Sequence, residues 1–129
     1  MEHPPCPPLF CVVGPTASGK TALAVALAER LGGEVVSCDS MQVYRGMDIG
    51  TAKPGAAERR GIPHHILDCA EPSEPWSAGR YAREAARCAE EIRARGRVSV
   101  VCGGTGLWLR ALTEGLSDMP DCPRREHGP

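Results

Sequence analysis

The sequence is poor in aromatic residues, with two Trp, two Tyr and one Phe among 129 residues. A hydrophobic core must therefore be built mainly from Val, Leu, Ile and Ala. There is also no excess of positive charge, because 15 Lys and Arg residues stand against 16 Asp and Glu residues. This balance argues against a domain that binds nucleic acid by itself, although it allows a local basic face.

Signals for disulfides, structural zinc, secretion and membrane insertion are lacking as well. The seven cysteines are odd in number and include no C-x-x-C pair, which argues against a disulfide framework or a zinc site. Four of them fall in or beside apolar segments, where a thiol acts as a small hydrophobe: Cys11, Cys38, Cys88 and Cys102. The proline-rich start resembles no signal peptide, and no apolar run is long enough to span a bilayer. We therefore expect a cytoplasmic protein with reduced thiols and no membrane partner.

What the sequence does contain is an alternation of strand-like and helix-like segments. The apolar run at residues 9–13 predicts a buried strand, residues 19–31 predict a helix, and "EVVSCDS" (34–40) predicts a second strand. Gly32 and Gly33 are expected to end the helix. Its inward face is predicted to consist of Leu23, Ala26, Leu27 and Leu31.

The second half of the chain repeats the alternation after a loop-rich stretch at residues 40–63. "HHILD" (64–68) is a short candidate strand, and "VSVVC" (98–102) is a stronger one. Between them, Ser77 is expected to cap a helix that runs to about Arg95, and a last helix should run from Leu107 and end at Gly115. The inner face of the longer helix is predicted to contain Tyr81, Ala85, Cys88 and Ile92.

This alternation predicts an α/β fold with a parallel sheet flanked by helices, as in P-loop NTPases. Four strands are visible, which indicates an incomplete core. We expect a disordered tail over residues 1–8, the core over 9–117 and an irregular tail over 118–129.

The stretch "GPTASGKT" matches the phosphate-loop pattern G-x-x-x-x-G-K-[ST], between a predicted strand and a predicted helix. Its glycines allow the loop amides to point at phosphate oxygens, and the helix that follows adds the positive end of its dipole. Lys20 is expected to reach the distal phosphate, and the hydroxyl of Thr21 is expected to bind Mg²⁺. The motif does not distinguish ATP, GTP or another diphosphate. The predicted binding residues are Gly14, Pro15, Thr16, Ala17, Ser18, Gly19, Lys20 and Thr21.

Two polar residues follow later strands at the edge where an open α/β sheet binds ligands. Asp39 could bind Mg²⁺ through water or accept a proton from a substrate. It could equally cap a turn, because Asp favours such positions, and the spacing does not favour one role over the other. Thr105, in "GGTG", could face a ligand or cap the helix that follows. His64 and His65 lack a third ligand at metal spacing, so we expect them to end a loop or bond to the backbone.

Several stretches together resemble tRNA dimethylallyltransferases, in the order that this family has them. They are "GPTASGKTALAVALAERL", "EVVSCDSMQVYRGMDIGTAKP", "GIPHHILD", "WSAGRY" and "VVCGGTGLWLRALTEGLSDMP", and they span residues 9–120. The resemblance implies that the loop binds dimethylallyl diphosphate with Mg²⁺. It also implies transfer of the dimethylallyl group to the exocyclic amine of the adenosine 3′ of the anticodon, in tRNAs that read codons beginning with U.

The resemblance also assigns residue roles. Asp39 would accept the amine proton, and Thr105 would lie near the reacting atoms. The segment Ser40, Met41 and Gln42, together with Asp39 and Thr105, would contact the tRNA nucleotide. The family resemblance further implies a monomer that grips the anticodon stem-loop.

Members of this family are more than twice as long, and the pattern is expected to end at about residue 120. The stem-loop-gripping part would then be missing, and the chain is expected to bind a diphosphate weakly and to transfer nothing by itself. Two other enzyme classes stay open: an adenylate isopentenyltransferase that uses a free nucleotide, and a small-molecule kinase.

Overall fold

A computed structural model describes residues 9–13, 19–46 and 55–117 of the chain. The two predicted tails and residues 14–18 of the phosphate loop lie outside these ranges. Within them the chain forms four strands: β1 (Leu9–Val13), β2 (Gly33–Ser37), β3 (His64–His65) and β4 (Val98–Gly103). The helices are α1 (Lys20–Leu31), α2 (Ala56–Arg59), α3 (Ala78–Ala94) and α4 (Gly106–Ser117).

The described strands form one parallel sheet in the order β1-β4-β2-β3, which confirms the predicted fold class. The chain passes from β1 through α1 to β2 and leaves a gap that β4 later fills. In this central position β4 pairs with β1, where Val12 aligns with Cys102, and with β2, where Val36 aligns with Val101. The parallel arrangement brings every strand's carboxyl end to one edge of the sheet.

Helices cover both faces of the sheet, since successive strand residues point in opposite directions. On one face, α1 packs on a cluster of Val12, Ala24, Ala28, Val35, Val100 and Cys102. On the other face, α3 and α4 bury Val36, Val101, Tyr81 and Trp108. The rings of Tyr81 and Trp108 stack with centroids 4.7 Å apart, so the scarce aromatics are concentrated in this layer.

The inner face of α1 was predicted wrongly, because the buried residues lie about one position further along the helix. Leu23 and Leu31 are 59% and 39% exposed, whereas Ala24 and Ala28 are 1% and 0% exposed. The small alanines let the helix lie close to the sheet. The face that α1 turns toward the sheet is therefore the one that packs closest, and not the one with the largest apolar side chains. Ala26 is exposed as well, and Leu27 is only partly buried.

Helix α3 follows its prediction closely. The Ser77 hydroxyl accepts a hydrogen bond from Arg80 N at 3.0 Å, and Gly96 adopts the left-handed conformation just after the helix, with φ 76°. All four predicted inner residues are buried: Tyr81, Ala85, Cys88 and Ile92.

Two element boundaries and one additional helix differ from expectation. The strand in "HHILD" stops after His65, because Ile66 and Asp68 have positive φ values of 60° and 55° that take the backbone out of the extended region. Helix α4 continues through Gly115 to Ser117, so this glycine does not end it. Helix α2 lies in the stretch predicted to be loop.

None of the five described cysteines forms a disulfide with another described residue. Cys38, Cys88 and Cys102 are buried among apolar side chains, but Cys11 is exposed because β1 lies at the edge of the described sheet. No group of three or more Cys, His, Asp or Glu residues within the described ranges is arranged to hold a metal ion. The described helices include none that is long and apolar enough to cross a membrane.

At the amino end of the sheet, the buried carboxylate of Glu34 holds three strand-end and loop residues together. Its side chain is 3% exposed and accepts hydrogen bonds from Arg95 at 2.6 and 3.0 Å; it also contacts His65 at 2.7 Å and Arg97 at 3.7 Å. The Arg95 guanidinium keeps the pKa of Glu34 below its ordinary value of 4.5, against the opposing effect of burial.

Glu34→Gln is expected to lower the free energy of unfolding by about 1.5–3 kcal/mol at neutral pH, because charge-assisted hydrogen bonds are lost. The folded-state pKa of Glu34 is depressed, so the carboxylate stabilises the fold above pH 4.5 and loses this effect as the pH falls through the folded value. Melting curves from neutral pH downward should therefore show the wild type and the variant converging. Glu114→Gln, in an exposed ion pair with Arg110, serves as the control with little effect at any pH.

Candidate functional site

The functional candidates lie at the carboxyl edge of the sheet. Residues 14–19 connect β1 to α1, Asp39 lies two residues beyond β2, and Thr105 lies two residues beyond β4. Because β4 and β2 are neighbours, residues 66 positions apart in the sequence meet at one edge.

The described end of the phosphate loop has the conformation that its motif requires. Gly19 is left-handed, with φ 76°, and α1 begins at Lys20, whose side chain is buried with 6% exposed. The Cys102 thiol lies 3.8 Å from the Lys20 carbonyl oxygen, which ties the first turn of α1 to the end of β4. The phosphate-contacting roles of the loop stay predictions, and Gly14, Pro15, Thr16, Ala17 and Ser18 lie outside the described residues.

The loops after β2 and β4 are bonded to each other, in what we term the β2–β4 junction (residues 38–40 and 102–105). Cys38 N donates to Cys102 O at 2.8 Å, and Thr105 N donates to Cys38 O at 3.2 Å. Ser40 N then donates to the Thr105 hydroxyl at 2.9 Å. The junction therefore continues the ladder beyond the strands and fixes Asp39 beside Thr105.

Asp39 caps a turn, as one of its two interpretations predicted. Its Oδ1 accepts hydrogen bonds from Met41 N at 2.8 Å and Gln42 N at 3.2 Å. No described residue is recorded as bonding to the other oxygen, Oδ2. The capping bonds orient the carboxylate, so the structural role and a chemical role for Oδ2 are compatible.

Thr105 stands where a helix N-cap would, since its carbonyl oxygen accepts from Trp108 N and Leu109 N, each at 3.1 Å. Its hydroxyl, however, accepts from Ser40 N and lies 3.4 Å from the Ser40 hydroxyl. The hydroxyl of Thr105 therefore binds the loop that carries Asp39, and it does not cap helix α4.

The three residues after Asp39 have different surroundings. Met41 is 47% exposed, Ser40 is partly buried in the β2–β4 junction, and Gln42 is 8% exposed. Gln42 lines a cavity that also includes Thr21, so the predicted nucleotide segment and the predicted metal ligand border the same space.

Sequence reasoning missed two residues of this cavity, Ser37 and His64. We call it the Ser37–His64 cavity; its walls are Thr21, Ala24, Val35, Ser37, Gln42, His64, Leu67 and Cys102. The His64 Nδ1 atom lies 2.9 Å from Ile62 O and must donate, because a carbonyl oxygen can only accept. Burial lowers the pKa of His64 and so favours the neutral ring, in which Nδ1 carries the proton and Nε2 a lone pair. No sequence signal marks this pair, since Ser37 and His64 meet only through the pairing of β2 with β3.

Comparison with known proteins identifies the family. A family model described as "IPP transferase" matches residues 42–127, more than half of the chain. The chain belongs to the IPP transferase family. A second model, "Isopentenyl transferase", matches residues 7–72 of the chain. The expectation that the family pattern ends at about residue 120 is wrong, because the first match continues to residue 127.

Curated relatives of the chain are named tRNA dimethylallyltransferase. The one from Anaeromyxobacter dehalogenans is 61% identical over 112 residues, which are 87% of this chain and 38% of the relative. The one from Koribacter versatilis is 54% identical over 123 residues, covering 94% and 40%. The chain thus spans about two fifths of the length of these relatives.

Solved structures give the same result. A full-length tRNA isopentenylpyrophosphate transferase from Bacillus halodurans aligns with a TM-score of 0.81 and 51% identity, over 84% of this chain and 36% of that one. A eukaryotic dimethylallyltransferase acting on tRNA aligns with a TM-score of 0.76 and 36% identity, covering 87% and 29%. These likenesses support the P-loop NTPase-like fold.

Proposed function

We propose that this chain is the donor-binding and catalytic part of a cytoplasmic tRNA dimethylallyltransferase. It transfers the dimethylallyl group of dimethylallyl diphosphate to N6 of the adenosine 3′ of the anticodon, in tRNAs that read codons beginning with U. The name of its curated relatives, tRNA dimethylallyltransferase, supports both the reaction class and a tRNA acceptor.

The single observation that carries the proposal is the β2–β4 junction. It holds Asp39 beside Thr105 at the same sheet edge as Lys20, with Asp39 Oδ2 left for chemistry. A bound donor on the phosphate loop and an adenine beside Asp39 would therefore meet at this edge.

The reaction requires a leaving diphosphate and a nucleophilic amine. The adenine N6 attacks C1 of the dimethylallyl group, the C1–O bond breaks, and its electron pair leaves with the diphosphate. Lys20 and the loop amides stabilise the developing negative charge. Asp39 accepts the proton that N6 loses, and the adenosine must leave the anticodon stack to reach it.

The residues present suit Mg²⁺. Thr21 would supply a hydroxyl oxygen, a hard ligand of the kind that Mg²⁺ prefers, and the diphosphate oxygens would supply others. Mg²⁺ is commonly bound by one or two protein groups together with substrate phosphates. When bound, the ion would neutralise diphosphate charge.

Transfer of labelled dimethylallyl tests the proposal, with an anticodon stem-loop and AMP as competing acceptors. The assay uses this chain and a chimaera in which residues 9–117 replace the matching segment of the Anaeromyxobacter dehalogenans relative. Labelling of the stem-loop by the chimaera supports the proposal. Labelling of AMP alone indicates an adenylate isopentenyltransferase, and ATP consumption without transfer indicates a kinase; either result overturns it.

Lys20→Ala is expected to weaken binding of dimethylallyl diphosphate about ten- to a hundredfold, because a charge-assisted contact to phosphate is lost. Calorimetry with Mg²⁺ present measures this change. Arg30→Ala, which removes an exposed cation from the last turn of the same helix, is the matched control and should bind normally. If the Lys20 variant and the wild type bind dimethylallyl diphosphate with equal affinity, the phosphate loop is not part of the donor site.

A further inference from the structure

The Ser37–His64 cavity contains two buried polar atoms without a hydrogen-bond partner. Ser37 is 4% exposed, and within residues 9–13, 19–46 and 55–117 neither its Oγ nor the Nε2 of His64 has a hydrogen-bond donor or acceptor as a partner. Buried polar groups in native proteins are almost always paired with protein or with ordered water. Two such atoms on one cavity therefore indicate a small polar occupant.

The size of the cavity fits one water molecule. The free space between its lining side chains is at the lower limit of what one water molecule needs. Four polar residues border it: Ser37, His64, Thr21 and Gln42. A buried water makes two to four hydrogen bonds, so the lining is chemically sufficient.

We propose that the cavity holds one ordered water, which donates to His64 Nε2 and accepts from the Ser37 hydroxyl. The same water accepts a hydrogen bond from the Thr21 hydroxyl, so that the oxygen lone pairs of Thr21 would stay available to the metal ion. His64 is then a positioning residue that acts on Thr21 through water. The water site stands on the cavity alone, whereas the role toward Thr21 rests on the proposed function.

Ser37→Ala tests whether the water is present, because the melting temperature should fall with a water in the cavity and should not fall without one. With water present, the substitution removes a satisfied hydrogen bond and should lower the melting temperature by about 3–6 °C. Ser99→Ala is the matched control, because Ser99 is 1% exposed with an unpartnered hydroxyl but lies on the α3 face, away from this cavity. Its melting temperature should stay the same or rise. An unchanged or higher value for Ser37→Ala, or an empty cavity in a high-resolution crystal structure, overturns the water site.

Two substitutions of His64 test the positioning role. In His64→Gln the longer amide reaches the place of Nε2 and keeps a partner for the water, whereas the shorter amide of His64→Asn reaches only the place of Nδ1. The Asn variant should need several-fold more Mg²⁺ for half-maximal binding of inorganic pyrophosphate, and the Gln variant should resemble the wild type. Equal Mg²⁺ requirements in both variants overturn the role of His64. Pyrophosphate binding by the wild type tests the proposed function separately, because a wild type that does not bind pyrophosphate contradicts that function and not the water site.

Discussion

Asp39→Asn is expected to slow prenyl transfer by about 10²–10⁴-fold while leaving the fold unchanged. Asparagine retains a side-chain oxygen that can accept the bonds from Met41 N and Gln42 N, so the turn stays capped. What it lacks is the charge and basicity of Oδ2. The substitution thus separates the structural role of Asp39 from its chemical role, which the sequence alone left evenly balanced.

Transfer rates are measured in the chimaera with saturating donor, and melting temperatures in the 129-residue chain. Asp39→Ala is the companion variant, because it removes both the base and the cap and should therefore also lower the melting temperature. Normal transfer by Asp39→Asn, with normal folding, would restrict Asp39 to capping the turn and would remove the base from the proposed mechanism.

Local signals in the sequence were sufficient for most elements. Helix α3 has strong 3.6-residue periodicity, a Ser77 cap and a Gly96 stop, and all three agree. Strands β1 and β4 are apolar runs bounded by glycine or proline, so their positions were clear. The helix predicted over residues 19–31 is likewise present as α1 (Lys20–Leu31), one residue shorter at its start.

Features set by tertiary packing could not be predicted in the same way. The rotation of α1 depends on how closely Ala24 and Ala28 approach the sheet, which a helical pattern that weights leucine heavily does not reveal. The hydrogen bond between Ser40 and Thr105 depends on β4 lying between β1 and β2, and strand order is not encoded in any short segment. The meeting of Ser37 with His64 has the same origin, since it requires β3 at the far side of β2.

Gly103 allows the two halves of the β2–β4 junction to approach each other. A Cβ built at Gly103 would lie 2.8 Å from Cys38 Cα and closer still to the Cys38 carbonyl group, and backbone atoms cannot swing aside as a flexible side chain can. Gly103 is therefore required where Asp39 is brought to Thr105.

Gly103→Ala is accordingly expected to lower the free energy of unfolding by about 3 kcal/mol and to abolish most transfer activity, because the end of β4 must move away from Cys38. Gly33→Ala is the matched control: its Cβ would meet Val98 O at 2.7 Å, between the same two strands but at the opposite end of the sheet. Both variants should be destabilised in denaturant titrations. At a temperature where both remain folded, only Gly103→Ala should lose transfer per folded molecule, since only its clash displaces Asp39. If Gly33→Ala loses as much activity, general destabilisation explains both, and the junction has no specific role in catalysis.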